Sequence, residues 1–125
     1  MQKIFLLIGA TLGAFSVIIG AFGAHALNSI LEKNGRLETY DTAVKYQFFH
    51  VIALFIVGIL MSYLNSKWLY YSGWSFILGI FIFSGSLYML CVTNWTKFGM
   101  ITPIGGLLLI AGWCFLFLAI LKSSI

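Results

Sequence analysis

Two histidines, His25 and His50, are the residues in this sequence best suited to chemistry near neutral pH, and neither has an Asp, Glu or Cys placed to complete a metal shell beside it. A neutral imidazole can donate one hydrogen bond and accept another, so a pair of them can join helices without burying a charge. Other uses compete with that one. Two histidines could ligate a haem iron axially, with glycines making space for the macrocycle. They could bind a transition metal, although the remaining ligands are lacking. They could also receive a lipid headgroup, a quinone or another amphiphile, helped by Arg36, Lys33 or Lys45. Ser84-Gly85-Ser86 supplies hydroxyls but no adjacent base, and no nucleophile-elbow pattern occurs, so no catalytic residue is expected. The expected function is that of a non-enzymatic protein without a cofactor, whose His25/His50 face binds a lipid-like amphiphile or a partner helix.

The elements that must position these groups follow from composition. The chain has 125 residues, 62% apolar and only 8% charged, against about a quarter charged in an ordinary soluble domain. Four stretches carry no charge at all: Ile4 to Leu31, Tyr46 to Ser66, Trp68 to Thr96 and Phe98 to Leu121. Each exceeds the roughly 20 residues that cross a bilayer as a helix. No stretch keeps the two-residue alternation of a membrane barrel. The expected fold is therefore all-α, a single four-helix transmembrane bundle with spans at about 4–27, 46–64, 68–92 and 101–121. The basic residues are scattered singly, so a nucleic-acid partner is excluded. Membrane lipids are the expected partners, with a second copy or another membrane protein as a further one. Cys91 and Cys114 both fall in hydrophobic spans and act as small apolar groups.

Local signals set the boundaries. Lys3, an apolar run and Ala24-His25-Ala26 imitate a cleavable leader, but the run is longer than a signal core of about 7 to 15 residues, so it is expected to stay as the first span. Asn34-Gly35 stops a helix. From Glu38 a second helix begins, with Glu38 and Asp41 in its first turn, and runs unbroken into the membrane. Asn65-Ser66-Lys67 makes a turn, Trp68 and Trp95 bracket the third span as interface anchors, and Thr102-Pro103 opens the fourth.

Ala43, Tyr46, Gln47, His50 and Leu54 share one helical face whose middle three positions are polar. His25 near the exit of span one and His50 about one turn inside span two are then expected at similar depth, in one cluster with Tyr46 and Gln47. No hydrophobic core contains Asp, Glu, Lys or Arg, which weighs against a proton-coupled exporter.

Small residues recur on helical stripes. Gly9, Gly13, Ser16, Gly20 and Gly23 mark span one, Ser72, Ser75, Gly79 and Ser86 span three, and Gly105, Gly112 and Ala119 span four. In lipid such stripes supply packing energy through close backbone approach. They serve packing within the chain or between copies. Lys3, Lys67 and Lys122 on one side oppose Lys33, Arg36, Lys45 and Lys97 on the other, a balance that sets no orientation and leaves dual topology, and a homo-oligomeric channel or exporter, as a second reading.

Four motifs in order carry a family resemblance: Gly20-Ala21-Phe22-Gly23-Ala24-His25-Ala26-Leu27; Ala43-Val44-Lys45-Tyr46-Gln47 with His50; Phe83-Ser84-Gly85-Ser86-Leu87-Tyr88; and Thr102-Pro103-Ile104-Gly105-Gly106 with Gly112-Trp113. The chain resembles the domain of unknown function 423 family, which includes the uncharacterised family 0382 and the proteins called transmembrane protein 256. The resemblance implies a four-helix protein of the bacterial inner membrane and brings no established activity.

Overall fold

The computed structural model describes residues 1–125 and is helical, with no strand. Helix α1 spans Gln2–Ala26, α2 Asn28–Asn34, α3 Leu37–Leu60, α4 Lys67–Thr93 and α5 Thr102–Leu121. A short 3-10 turn, Thr96–Met100, precedes α5. With that turn joined to α5, four helical segments are long and apolar enough to cross a membrane.

The turns obey their local chemistry. Gly35 ends α2 in the left-handed region at φ 67, where its lack of Cβ removes the steric cost, and the following Arg36 N–H closes on the Leu31 carbonyl at 2.9 Å. Ser66 caps α4 by accepting the Trp68 amide at 3.2 Å. Pro103 sits in the first turn of α5, where no amide proton is needed. Helix α3 ends at Leu60, before the Leu64 expected from hydropathy; residues 61–63 continue as a turn.

Helix α1 widens into a π segment at Ile18–Gly23. The wide turn leaves the Ile19 carbonyl accessible from the side, and the Tyr40 hydroxyl donates to it at 2.5 Å. Gly23 makes room for that hydroxyl: a Cβ there would lie 2.6 Å from Tyr40 Oη.

Helix α1 packs along α3, α3 along α4, and α4 along α5. The small-residue stripes set the registers. Gly9 faces Phe55, Gly13 faces Val51 and Gly20 faces Val44, an antiparallel seam between α1 and α3. Gly105 lies against the backbone of Phe83, Gly112 against the Phe76 ring, and Gly79 against Leu109, the equivalent seam between α4 and α5. Apolar burial between helices gains little in hydrocarbon, so these close approaches and the hydrogen bonds between helices hold the bundle. Phe5, Leu54, Val57, Leu69 and Phe76 are fully enclosed at its centre.

Candidate functional site

Two clusters of polar side chains inside the membrane involve α3, one reaching α1 and α4 and the other α5; separately, Ser72 Oγ donates to the Gly112 carbonyl at 2.7 Å between α4 and α5. In the first, Tyr88 of α4 donates to Gln47 Oε1 at 2.6 Å, and Gln47 Nε2 donates to the Leu12 carbonyl of α1 at 3.1 Å. Ser16 Oγ donates to the same carbonyl at 2.8 Å. One glutamine therefore ties three helices together, and it is 3% exposed. One turn away, Ser84 Oγ donates to the Ala43 carbonyl at 2.8 Å.

The second cluster joins α3 to α5. His50 Nδ1 lies 2.7 Å from the Tyr46 carbonyl, and Trp113 Nε1 donates to His50 Nε2 at 3.0 Å. A carbonyl can only accept and an indole N–H can only donate, so Nδ1 carries the proton and Nε2 offers its lone pair. The imidazole is neutral with both nitrogens engaged. Phe76 stands beside both rings, 5.7 Å from His50 and 5.3 Å from Trp113 between centroids.

His25 belongs to neither cluster. It is exposed at the end of α1. The register that sets Gly13 against Val51 places His50 level with Ala14, some eleven residues before His25, or about 17 Å along the axis. The expected grouping of His25 with Tyr46, Gln47 and His50 at one depth is thus corrected: the first turns of α3, which begins at Leu37, already pack along the end of α1, with Tyr40 bonded to Ile19, so His50 lies about three turns from His25. Within one chain the two imidazoles cannot hold one haem iron or one metal ion between them.

Tyr46 contributes its carbonyl to His50 and stacks its ring on Phe83 at 4.7 Å, while Gln47 turns toward α1 and the inner face of α4, into the first cluster. Arg36 serves a third place. Its Nε donates to Asn94 Oδ1 at 3.0 Å, and Asn34 Nδ2 donates to the Cys91 carbonyl at 2.9 Å, so the α2–α3 loop clasps the end of α4. Asn94 ends that helix in the left-handed region, φ 55. Among the motif residues, Ser86 Oγ and Thr102 Oγ1 bond at 2.6 Å across α4 and α5, just above the Gly105 contact. Gly106 faces the Phe83 ring more loosely, at 3.7 Å.

Gly85 is the exception among the motif glycines, because a Cβ there would meet nothing within 4 Å. It opens on a cavity of about 350 Å³ between α1 and α4, lined by Leu12, Phe15, Ile19, Phe81 and Tyr88 over a floor of Gln47 and Ser84. A cavity of about 290 Å³ shares the walls Thr11, Leu12 and Phe81 with it, and one of about 390 Å³ shares Ile19 and Tyr88. The three lie in succession along the α1–α4 seam and line one groove-like surface. The helices touch at one end of it, where Phe5 occupies the space above Gly73 and its ring meets Trp74 edge-on at 5.7 Å.

Two participants are absent from the polar face that sequence periodicity picks out. Tyr40 lies seven residues before Gln47, hence on the same helical face, and that spacing was the available signal. Trp113 follows Gly112 in the fourth motif, but nothing in its spacing points to His50.

With this geometry described, comparison with known proteins places the chain. Residues 19–106 match the family described as "Protein of unknown function (DUF423)". A UPF0382 membrane protein of Staphylococcus haemolyticus is 42% identical over 97% of this chain and 98% of its own length. The UPF0382 membrane protein YwdK of Bacillus subtilis is 37% identical over 97% and 98%, and the UPF0382 inner membrane protein YgdD of Escherichia coli 34% over 98% and 93%. The chain belongs to this family of membrane proteins of unknown function. No solved structure matches it.

Proposed function

We propose that the protein is a non-enzymatic, multi-pass component of the bacterial plasma membrane that holds a hydrocarbon chain of an amphiphile in the groove between α1 and α4. The observation that carries this is the groove itself. Its lining runs from Leu7 to Ala26 on α1, about 29 Å at 1.5 Å per residue, comparable to the thickness of a bilayer's hydrocarbon core. Gln47, Tyr88 and Ser84 form its polar floor, yet their hydrogen bonds point to protein partners. The surface left to an occupant is nearly all carbon, which gives ordered water too few partners. A helix is about 10–12 Å across with its side chains and does not fit a seam whose walls meet at Phe5 and Gly73. A flexible chain does. This relocates the amphiphile site from a shared His25/His50 face to the α1–α4 seam.

The test uses Gly85→Leu, which fills open space and leaves the fold intact. Native mass spectrometry of the purified chain is expected to find a retained chain-bearing molecule on the natural protein and a loss of at least about tenfold in the variant, equivalent to ~1.4 kcal/mol. Equal retention by a folded Gly85→Leu protein would refute the reading.

Self-association is the second reading, favoured by one face alone. The glycines of α1 are occupied by α3, whereas Ala10, Ala14 and Ala21 form a small-residue stripe exposed to lipid. Ala14→Cys, in a background with Cys91 and Cys114 replaced, should cross-link copies in membranes if this stripe is an interface. A reporter on the C-terminus found on one fixed side would exclude antiparallel pairs.

A further inference from the structure

At the end of the bundle that carries both termini, the loop between α3 and α4 meets the end of α5 around a polar pocket of about 480 Å³. Its wall includes Asn65, Ser66, Lys67, Trp68, Lys122 and Ser124. The Trp68 ring is held in place, stacked on Phe115 at 5.9 Å and edge-on to Tyr71 at 5.9 Å. Lys67 Nζ and Lys122 Nζ each lie 5.1 Å from that ring's centroid, so the two ammonium groups are at most twice that distance from each other. Neither is in an ion pair, the sole one in the chain being Lys45 with Asp41.

The charge pattern sharpens the point. Every acidic side chain, Glu32, Glu38 and Asp41, lies in α2 or the first turns of α3, at the opposite end of the bundle. Two like charges therefore share one indole with no Asp or Glu on that side; the carboxylate there is the terminal one of Ile125, three residues past Lys122, and it is in no ion pair with either lysine. The ring quadrupole attracts each cation only weakly at an exposed site, and their mutual repulsion remains. An anion between them would remove it. Ser124 and Asn65, whose side chains carry hydroxyl and amide donors, line the same wall, which suits an oxygen-rich anion more than a halide. An indole and two lysines at the membrane boundary also match the depth of a lipid headgroup.

We infer that this pocket binds a phosphoryl group with Lys67 and Trp68 in the first turn of α4 and Lys122 at the end of α5, carried by an anionic phospholipid headgroup. The site is independent of the α1–α4 groove, since it lies at another seam and recognises charge in place of chain.

The experiment places the full chain in nanodiscs of phosphatidylcholine with a minor fraction of phosphatidylglycerol and reads the ratio of the two lipids retained in native mass spectrometry. Enrichment of phosphatidylglycerol by about tenfold is expected, lost in Lys67→Gln/Lys122→Gln and kept in Lys33→Gln/Lys97→Gln. Both pairs are exposed, so folding is retained. A second arm titrates inorganic phosphate into phosphatidylcholine-only discs and follows its phosphorus resonance. Broadening that depends on Lys67 and Lys122 and that phosphatidylglycerol displaces supports the lipid as the natural source; broadening that the lipid does not displace assigns the site to free phosphate and overturns the headgroup. Unchanged enrichment in Lys67→Gln/Lys122→Gln, or no enrichment in the natural chain, overturns the inference.

Discussion

Trp113 on α5 donates its indole N–H to Nε2 of His50 on α3, and this bond defines which imidazole tautomer the bundle contains. His50 is 7% exposed and Trp113 45%, so the bond lies where the α3–α5 seam opens toward lipid. Because the acceptor nitrogen must stay unprotonated, the bond serves as a neutral tie between two helices that otherwise touch little.

The two histidines should therefore behave differently. Trp113→Phe and His50→Phe are each expected to lower the melting temperature in detergent, with a coupling in the double-mutant cycle of about 0.6 kcal/mol and at most ~1.7, the range of hydrogen bonds between membrane helices. His25→Ala should change stability by no more than about 0.5 kcal/mol, as at an ordinary exposed position. Additive effects of the first two substitutions, or a large effect of the third, would contradict the geometry.

Gln47 and Tyr88 make a stronger case for non-additivity. Tyr88→Phe leaves Gln47 Oε1 without its donor, and Gln47→Leu leaves the Tyr88 hydroxyl without an acceptor. Each single change orphans a buried polar group at a cost of about 1–3 kcal/mol, whereas removing both partners leaves that hydrogen bond with no orphan. Gln47→Leu/Tyr88→Phe is expected to be no less stable than Gln47→Leu alone, as measured by chemical or thermal unfolding in micelles. A double variant weaker than either single one would show that the pair is not a unit.

The glycines should sort by what they face. A Cβ on Gly105 collides with the Phe83 backbone, which cannot swing aside, while one on Gly85 enters empty space. Gly105→Ala is expected to destabilise by about 1–3 kcal/mol through overpacking. Gly85→Ala should be silent within about 0.5 kcal/mol. The check is a pair of melts in the same detergent, and the account fails if the order is reversed.

The fold was legible because four charge-free stretches leave a chain little else to do in water or lipid, and because Asn34-Gly35 and Thr102-Pro103 punctuate it where helices stop and start. The stripe from Gly9 to Gly23 was equally legible, since close packing in lipid depends on small residues at that spacing. The site was less so. Hydropathy marks where charge ends and not where a helix meets its neighbour, so the charge pattern puts the membrane entry of α3 near Tyr46 although α3 already lies alongside α1 at Tyr40. That offset put His25 and His50 together. Register between helices depends on which side chain fills which gap, Val51 over Gly13 or Phe76 against Gly112, and no single helix contains that information. For the same reason Gln47 and Tyr88 could each be picked out but not paired.

The most direct measurement maps where hydrocarbon rests against the chain. Phosphatidylcholine bearing a diazirine on its acyl chain, photolysed in membranes containing the full-length protein, should place its adducts on Phe15, Phe81 and Gly85 of the α1–α4 groove well above those on Ile110 and Phe117 of the outer face of α5. Adducts spread equally over both surfaces would mean that the groove holds no chain of its own, and the proposed function would fall.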